Sequence, residues 1–151
     1  MTTGLTWTRE HAPRWDADKQ RLFGPAELAA TGLSAPAPDS PVADEWWRVT
    51  DRSGRVVGYG WLDSEWGNAE ITFVVAAHRR GAGIGEYIVD RLEEEAAARG
   101  FSYVYNVVPA ASPHRERVTA WLLRRGFTAG AGDLRRQVRP GLSAPARSAR
   151  S

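Results

Sequence analysis

Cysteine is absent from the 151 residues of this chain. Its absence excludes disulfide bridges, thiolate metal sites and a cysteine nucleophile, and we expect no metal. Lysine occurs once, at Lys19, so the basic residues are almost all arginine. No stretch approaches the roughly 18 apolar residues that a membrane-spanning helix requires. The mixed, polar N-terminus also lacks the apolar core of a signal peptide. We therefore expect a cytoplasmic protein with no membrane partner.

The charge pattern gives no sign of a nucleic-acid partner. The formal net charge is only +2, and no stripe of basic residues with interleaved aromatic residues occurs. The length is typical of one domain that is large enough to bury a core. We expect a single domain over residues 1–138 and a disordered tail over 139–151, because the tail is small, polar and proline-bearing.

Periodicity and turn residues predict an α/β domain with a mixed, mostly antiparallel central sheet flanked by helices. An interrupted helix over 13–31 and a proline-rich loop over 34–44 come first. Two strands joined by the turn at 51–54 form a hairpin, and further elements alternate after it. The predicted strands cover residues 45–50, 56–63, 70–76 and 103–108, with one or two short strands in 127–138, and the predicted amphipathic helices cover 84–99 and 118–125.

The third predicted strand runs directly into a turn that is rich in arginine and glycine, Arg80 to Gly85, and this turn opens a helix. Unpaired backbone N–H groups and the helix dipole favour an anion at such a place. The turn lacks the Gly-Lys-Ser/Thr ending of a Walker loop, and its glycine spacing does not fit the dinucleotide fingerprint. An anion site is favoured, and an ordinary strand–helix turn is the alternative.

The pattern Arg80-x-x-Gly83-x-Gly85 resembles the acyl-CoA phosphate loop of the GCN5-related N-acetyltransferase (GNAT) superfamily, which reads Gln/Arg-x-x-Gly-x-Gly/Ala. Residues 117–127 are similar to that family's late helix, which ends in Gly-Phe. The resemblance covers roughly residues 45–138. It implies an acyl-CoA N-acyltransferase-like fold and an acetyl-CoA-dependent N-acetyltransferase, in which an amine attacks the thioester directly without a metal or a covalent enzyme intermediate.

The resemblance also implies where acetyl-CoA lies. The cofactor would occupy a V-shaped gap between the strands at 70–76 and 103–108. Backbone groups of Val74, Val75 and Ala76 would pair with pantetheine and polarise the thioester carbonyl. The pyrophosphate would bind the loop, whose cofactor-binding residues would be Arg80, Gly81, Ala82, Gly83, Ile84 and Gly85.

Glu70 is the expected general base. The stretch 69–73 resembles the strand of the histone-acetylating branch in which a glutamate has this role, and the alternative is a solvated glutamate at the start of a strand. Four of the seven tryptophans, at 46, 47, 61 and 66, lie close together in the sequence. Trp61 is expected to contact substrate as part of the wall of a small-molecule pocket, and core and cross-strand packing is the alternative role for this cluster. Asn106 would hydrogen-bond pantetheine or substrate, or else a local backbone group.

Two positions depart from the family pattern. Leu122 stands where many members have a tyrosine that reprotonates the CoA thiolate, and Arg115 stands where many have an asparagine. We expect acetyl transfer to a primary amine of a small metabolite or amino acid. A protein or peptide amine as acceptor, or a catalytically weak acyl-CoA-binding module, are the alternatives. Monomer and homodimer both stay open.

Overall fold

The computed structural model describes residues 4–110 and 112–138. These residues form strands and helices, with a short 3₁₀ turn over Ala77–Arg79. The elements are β1 (Thr6–Arg9), α1 (Ala17–Leu22), α2 (Pro25–Thr31), β2 (Glu45–Thr50), β3 (Val56–Glu65), β4 (Asn68–Val75), α3 (Ile84–Ala98), β5 (Tyr103–Asn106), α4 (Arg115–Arg124), β6 (Thr128–Ala129) and β7 (Leu134–Gln137).

The strands form one sheet in the order β1-β2-β3-β4-β5-β7-β6. Every neighbouring pair is antiparallel except β4 and β5, which run parallel. The mixed, mostly antiparallel sheet predicted from the sequence is therefore confirmed. The single parallel pair arises because α3 crosses over between β4 and β5, as a parallel connection requires.

Helix α3 covers one face of the sheet. Its stripe at Ile84, Ile88 and Leu92 is fully buried, as the helical spacing predicted. The helix lies very close to β3 because β3 carries glycine at 58 and 60. A Cβ atom on Gly60 would lie 2.7 Å from the Ile88 side chain, so any larger residue there would push α3 away from the sheet.

The other face is covered by α1, α2 and the segments around them. Phe23 packs against Trp46, Tyr59 and Trp61, and Trp46 stacks on Trp61 with ring centroids 4.1 Å apart. Lys19, the single lysine, is fully buried beneath the Trp46 and Tyr59 rings. Its charge is balanced by Glu10, which lies 2.6 Å away. This layer is an aromatic core.

The structure differs from the sequence prediction in three places. Strand β1 was not predicted, because four residues of mixed polarity carry little periodic signal; it pairs with the edge of β2. The β3–β4 hairpin is longer than predicted and turns at 66–67. Strand β5 ends at Asn106 rather than at 108.

The predicted disordered tail over 139–151 lies outside the described residues. None of the described helices is long and apolar enough to cross a membrane.

Candidate functional site

Strands β4 and β5 separate partway along β4. Their parallel pairing covers only 68–70 of β4 against 103–105 of β5. One step further, the side-chain amide of Asn106 donates a hydrogen bond to the Ile71 carbonyl over 2.8 Å. Beyond that contact the rest of β4 has no partner strand on this side, and a cleft opens between the two strands.

The cleft is a cavity of about 480 Å³. Its walls come from the second half of β4, the loop after β4, the first turn of α3, one side of α4 and the end of α2. The lining residues are Glu27, Ala30, Thr31, Thr72, Phe73, Val74, Val75, Arg79, Arg80, Gly81, Gly83, Ile84, Gly85, Glu86, Asn106, Val108, His114, Arg117, Val118, Trp121 and Arg125.

Only alternate backbone groups of β4 face this cleft. The N–H of Ala76 donates to the Val57 carbonyl over 2.9 Å, and the Val74 carbonyl oxygen lies on the β3 side, where a Cβ atom on Gly58 would be 2.9 Å from it. Peptide groups of a strand alternate between its two edges, so those of Phe73 and Val75 face the cleft. The expectation that Val74, Val75 and Ala76 all offer backbone groups to the cofactor is therefore corrected: Val75 faces the cleft, whereas Val74 and Ala76 direct backbone groups at β3.

The loop at 80–85 follows the short 3₁₀ turn and lines one end of the cleft. Gly81 and Gly83 adopt φ angles of 83° and 82°, which residues other than glycine adopt only with strain. A side chain at Gly81 would meet nothing within 4 Å, so the loop backbone is open to a ligand. Of the residues predicted to bind the cofactor, Ala76 and Ala82 do not line the cleft, and the others do.

Arg80 is held by a residue that sequence reasoning missed. Its guanidinium donates to Glu27 of α2 over 2.7 Å, and the other Glu27 oxygen accepts the N–H of Gly24 over 3.0 Å. Helix α2 is thereby tied to the loop and becomes a wall of the cleft. The spacing from Gly24 to Glu27 is that of a capping box and marks the start of α2, but it does not point to Arg80.

Glu70 lies on the α1/α2 face of β4, on the same face as Thr72, which lines the cleft. Glu70 itself does not line it. Burial raises the pKa of the Glu70 carboxyl, and the negative charges of Asp63, Asp44 and Glu65 raise it further. A carboxyl with a raised pKa is suited to accept a proton near neutrality.

Trp61 does not occupy the predicted position at a substrate pocket. Its side chain is only 6% exposed, it stacks on Trp46, and it lines neither the cleft nor the smaller cavity beside the β3–β4 turn. The aromatic side chains that line the cleft are instead those of Phe73 of β4 and Trp121 of α4, which pack against each other. The helical spacing that marked Trp121 as part of an amphipathic helix also fits a core position, so it could not single out this residue.

Neither residue that departs from the family pattern, Leu122 or Arg115, lies in the cleft. Leu122 is fully buried in the core, and Arg115 is exposed and outside the cleft. No tyrosine among the described residues lines the cleft, whereas His114 does. His114 precedes α4 as its N-cap residue, and nothing in its loop position distinguished it in the sequence.

Solved structures with the same fold cover nearly the whole chain. A phosphinothricin acetyltransferase from Sinorhizobium meliloti, in complex with AcCoA, superposes with a TM-score of 0.64 at 18% identity, covering 92% of this chain and 91% of its own. A GCN5-related N-acetyltransferase from Kribbella flavida gives 0.61 at 19% identity, covering 91% and 99%.

A third solved structure shares only part of its length. The N-acetylglutamate synthase from Neisseria gonorrhoeae, complexed with coenzyme A and N-acetyl-glutamate, gives a TM-score of 0.54 at 16% identity, covering 62% of this chain and 26% of its own. No curated protein sequence matches the chain. The model of the acetyltransferase (GNAT) family matches residues 6–127. With that match over most of its length and the cleft that β4 and β5 form, the chain belongs to the GNAT family of acetyltransferases.

Proposed function

We propose that this acetyltransferase moves the acetyl group of acetyl-CoA to the primary amine of a small metabolite or amino acid. The observation that carries the proposal is the cleft itself, which joins an open Arg/Gly loop to the point where β4 and β5 diverge. A cleft of this shape offers a place for an anion at one end and for an extended chain along an unpaired strand edge. Both features suit an acyl-CoA.

In this proposal the cofactor lies along β4. The backbone N–H groups of residues 81–85 bind the pyrophosphate, aided by the α3 dipole. Pantetheine pairs with the free peptide groups of Phe73 and Val75, in the way that an added strand would. An N–H of this edge polarises the thioester carbonyl and stabilises the oxyanion that forms when the amine attacks. Solved relatives that bind AcCoA or coenzyme A support this placement.

Glu70 acts as the general base, directly or through water. The amine must lose a proton before or during its attack on the thioester carbon, and the C–S bond then breaks to release the CoA thiolate. Asp63, Asp44 and Glu65 give this face a negative potential, which attracts the ammonium form of the acceptor. The thiolate takes its proton from water or from His114, because Leu122 offers none.

The position of helix α2 favours a small-molecule acceptor over a peptide acceptor. Glu27, Ala30 and Thr31 form a wall on one side of the cleft, whereas a peptide acceptor would need an open groove. The solved relatives named for phosphinothricin and for glutamate act on small amines. The absence of a tyrosine among the described lining residues favours the second candidate, an acyl-CoA-binding module with weak catalysis.

A coupled assay separates these candidates. Purified protein is incubated with acetyl-CoA and a panel of amino acids, small primary amines and peptides, while thiol release and acetylated products are followed by mass spectrometry. The proposal expects turnover with a small amine and little with peptides. Turnover of a peptide alone would change the acceptor class. Tight binding of acetyl-CoA without turnover of any amine would instead support the second candidate, an acyl-CoA-binding module with weak catalysis.

A further inference from the structure

Four arginines line the cleft, and they differ in how their charges are balanced. Arg79 is paired with Asp51 at 2.9 Å, Arg80 with Glu27 at 2.7 Å, and Arg125 with Glu86 at 2.9 Å. The fourth, Arg117, is exposed and forms no ion pair within the described part of the chain. The cleft therefore has one arginine with an unused guanidinium.

Arg117 lies on α4, one helical turn before Trp121, and residues four apart share a helix face. Trp121 is close to the start of α3, since a Cβ atom on Gly85 would lie 3.8 Å from its ring. Arg117 thus stands on the wall that faces the phosphate loop, about 5–6 Å along α4 from Trp121. An anion bound at the loop and a second anion near it would both lie at this end of the cleft.

We propose that Arg117 binds the 3′-phosphate of the CoA ribose and makes the protein select CoA over carriers that lack this group. The inference rests on the proposed function, which puts the pyrophosphate at the loop. The 3′-phosphate is a separate anion, and the loop N–H groups that bind the pyrophosphate do not bind it. A planar guanidinium donates two parallel hydrogen bonds to a phosphate, and Arg117 is the arginine of this cleft that need not first leave a carboxylate.

The selection has a consequence for the acyl donor. Dephospho-CoA and the phosphopantetheine arm of a carrier protein carry the same thiol and pantetheine as CoA, but neither has the 3′-phosphate. A protein that uses Arg117 in this way draws its acetyl group from free acetyl-CoA and discriminates against these two donors. The discrimination is set on α4, away from the thioester.

Calorimetric titration with CoA and with dephospho-CoA at fixed ionic strength tests the proposal. The variants are Arg117→Gln and, as a matched control, Arg124→Gln, which removes the same charge from an exposed position of α4 that does not line the cleft. The wild-type protein should prefer CoA by about tenfold or more, the usual effect of a charge-assisted hydrogen bond. Arg117→Gln should abolish the preference by weakening CoA alone, and Arg124→Gln should keep it.

The remaining outcomes overturn the proposal. Equal affinities of the wild-type protein for the two ligands would show that the 3′-phosphate is not recognised, while the proposed function would stand. An unchanged preference in Arg117→Gln would place recognition on another residue. An equal loss of affinity for both ligands in Arg117→Gln would show that Arg117 contacts the pyrophosphate or only adds to the positive electrostatic potential of the cleft. If the wild-type protein binds neither ligand, the proposed function fails together with this inference.

Discussion

The side-chain amide of Asn106 bonds the main-chain carbonyl of Ile71 at the point where β4 and β5 stop pairing. Asn106 is 7% exposed, so the bond is made in a largely dry environment. It supplies the hydrogen bond that the next residue of a longer β5 would have donated. The two strands can therefore diverge without leaving the Ile71 carbonyl unpaired at the apex of the cleft.

Asn106→Ala should lower the free energy of unfolding by about 1–3 kcal/mol, because it leaves a buried carbonyl without its partner. Turnover should fall as well, since the apex of the cleft loosens. Urea unfolding and steady-state kinetics measure the two effects. Asn68→Ala is the control, because Asn68 is a half-buried asparagine at the start of the neighbouring strand β4, and its loss should change stability by less than about 0.5 kcal/mol. Equal effects of the two substitutions would contradict the role given to Asn106.

Glu70→Gln should lower kcat by roughly 10²–10⁴-fold at neutral pH, which is the usual contribution of a general base. The KM for acetyl-CoA should barely change, and high pH should partly restore the rate because more acceptor is then the free amine. The free energy of unfolding of the variant is the control for damage to the fold. The pKa of Glu70 is raised in the folded chain, so its ionisation costs stability as pH rises through that pKa, and the glutamine variant should be no less stable at neutral pH. Near-normal turnover at all pH values would place the base elsewhere.

Asp63→Asn should move the acidic limb of the kcat/KM profile to lower pH. Asp63 lies directly opposite Glu70 in the antiparallel pair of β3 and β4, and its charge raises the Glu70 pKa, second to burial. Without that charge the pKa of Glu70 is lower, so the active carboxylate form is present at lower pH. Glu116→Gln, which removes an exposed acid on α4, should leave the profile in place. If both profiles coincide with that of the wild-type protein, Glu70 does not control the limb.

Gly83→Leu should weaken acetyl-CoA binding by at least tenfold in calorimetry. The side chain would occupy the approach of the pyrophosphate to the loop, and the residue would have to adopt a strained φ of 82°. Gly100→Leu controls for the strain. Gly100 has a similar φ of 79° at the opposite end of α3, with nothing within 4 Å of an added Cβ atom. Both variants should lose similar stability, and a similar loss of affinity in both would argue against a phosphate site at the loop.

Glu27→Gln should raise acetyl-CoA affinity by roughly two- to fivefold, in line with the modest strength of a partly exposed ion pair. The glutamine still accepts the Gly24 N–H but releases Arg80 for the pyrophosphate and removes a negative charge from the cleft wall. Calorimetry at low and high salt measures the change, which should shrink as salt screens the charges. A loss of affinity would mean that Glu27 holds Arg80 in its binding position instead of competing for it.

The sequence alone was sufficient for features that depend on local chain geometry. Strand alternation, helical periodicity and glycines with positive φ act over a few residues, so β4, the loop at 80–85 and the start of α3 were predicted together. The family followed from the same spacing, and the family model confirms it. The single domain over 1–138 and the general base remain predictions, since their tests lie in solution.

The tertiary structure decided everything that depends on residues far apart in the chain. Arg80 and Glu27 are 53 positions apart, and only the packing of α2 against the sheet brings them into contact. The burial of Trp61 follows from stacking on Trp46 across two strands, whereas Trp121 lines the cleft because α4 places its ring against Phe73 of β4. Spacing along the chain determines which face a residue occupies, but the packing of whole elements determines what that face meets.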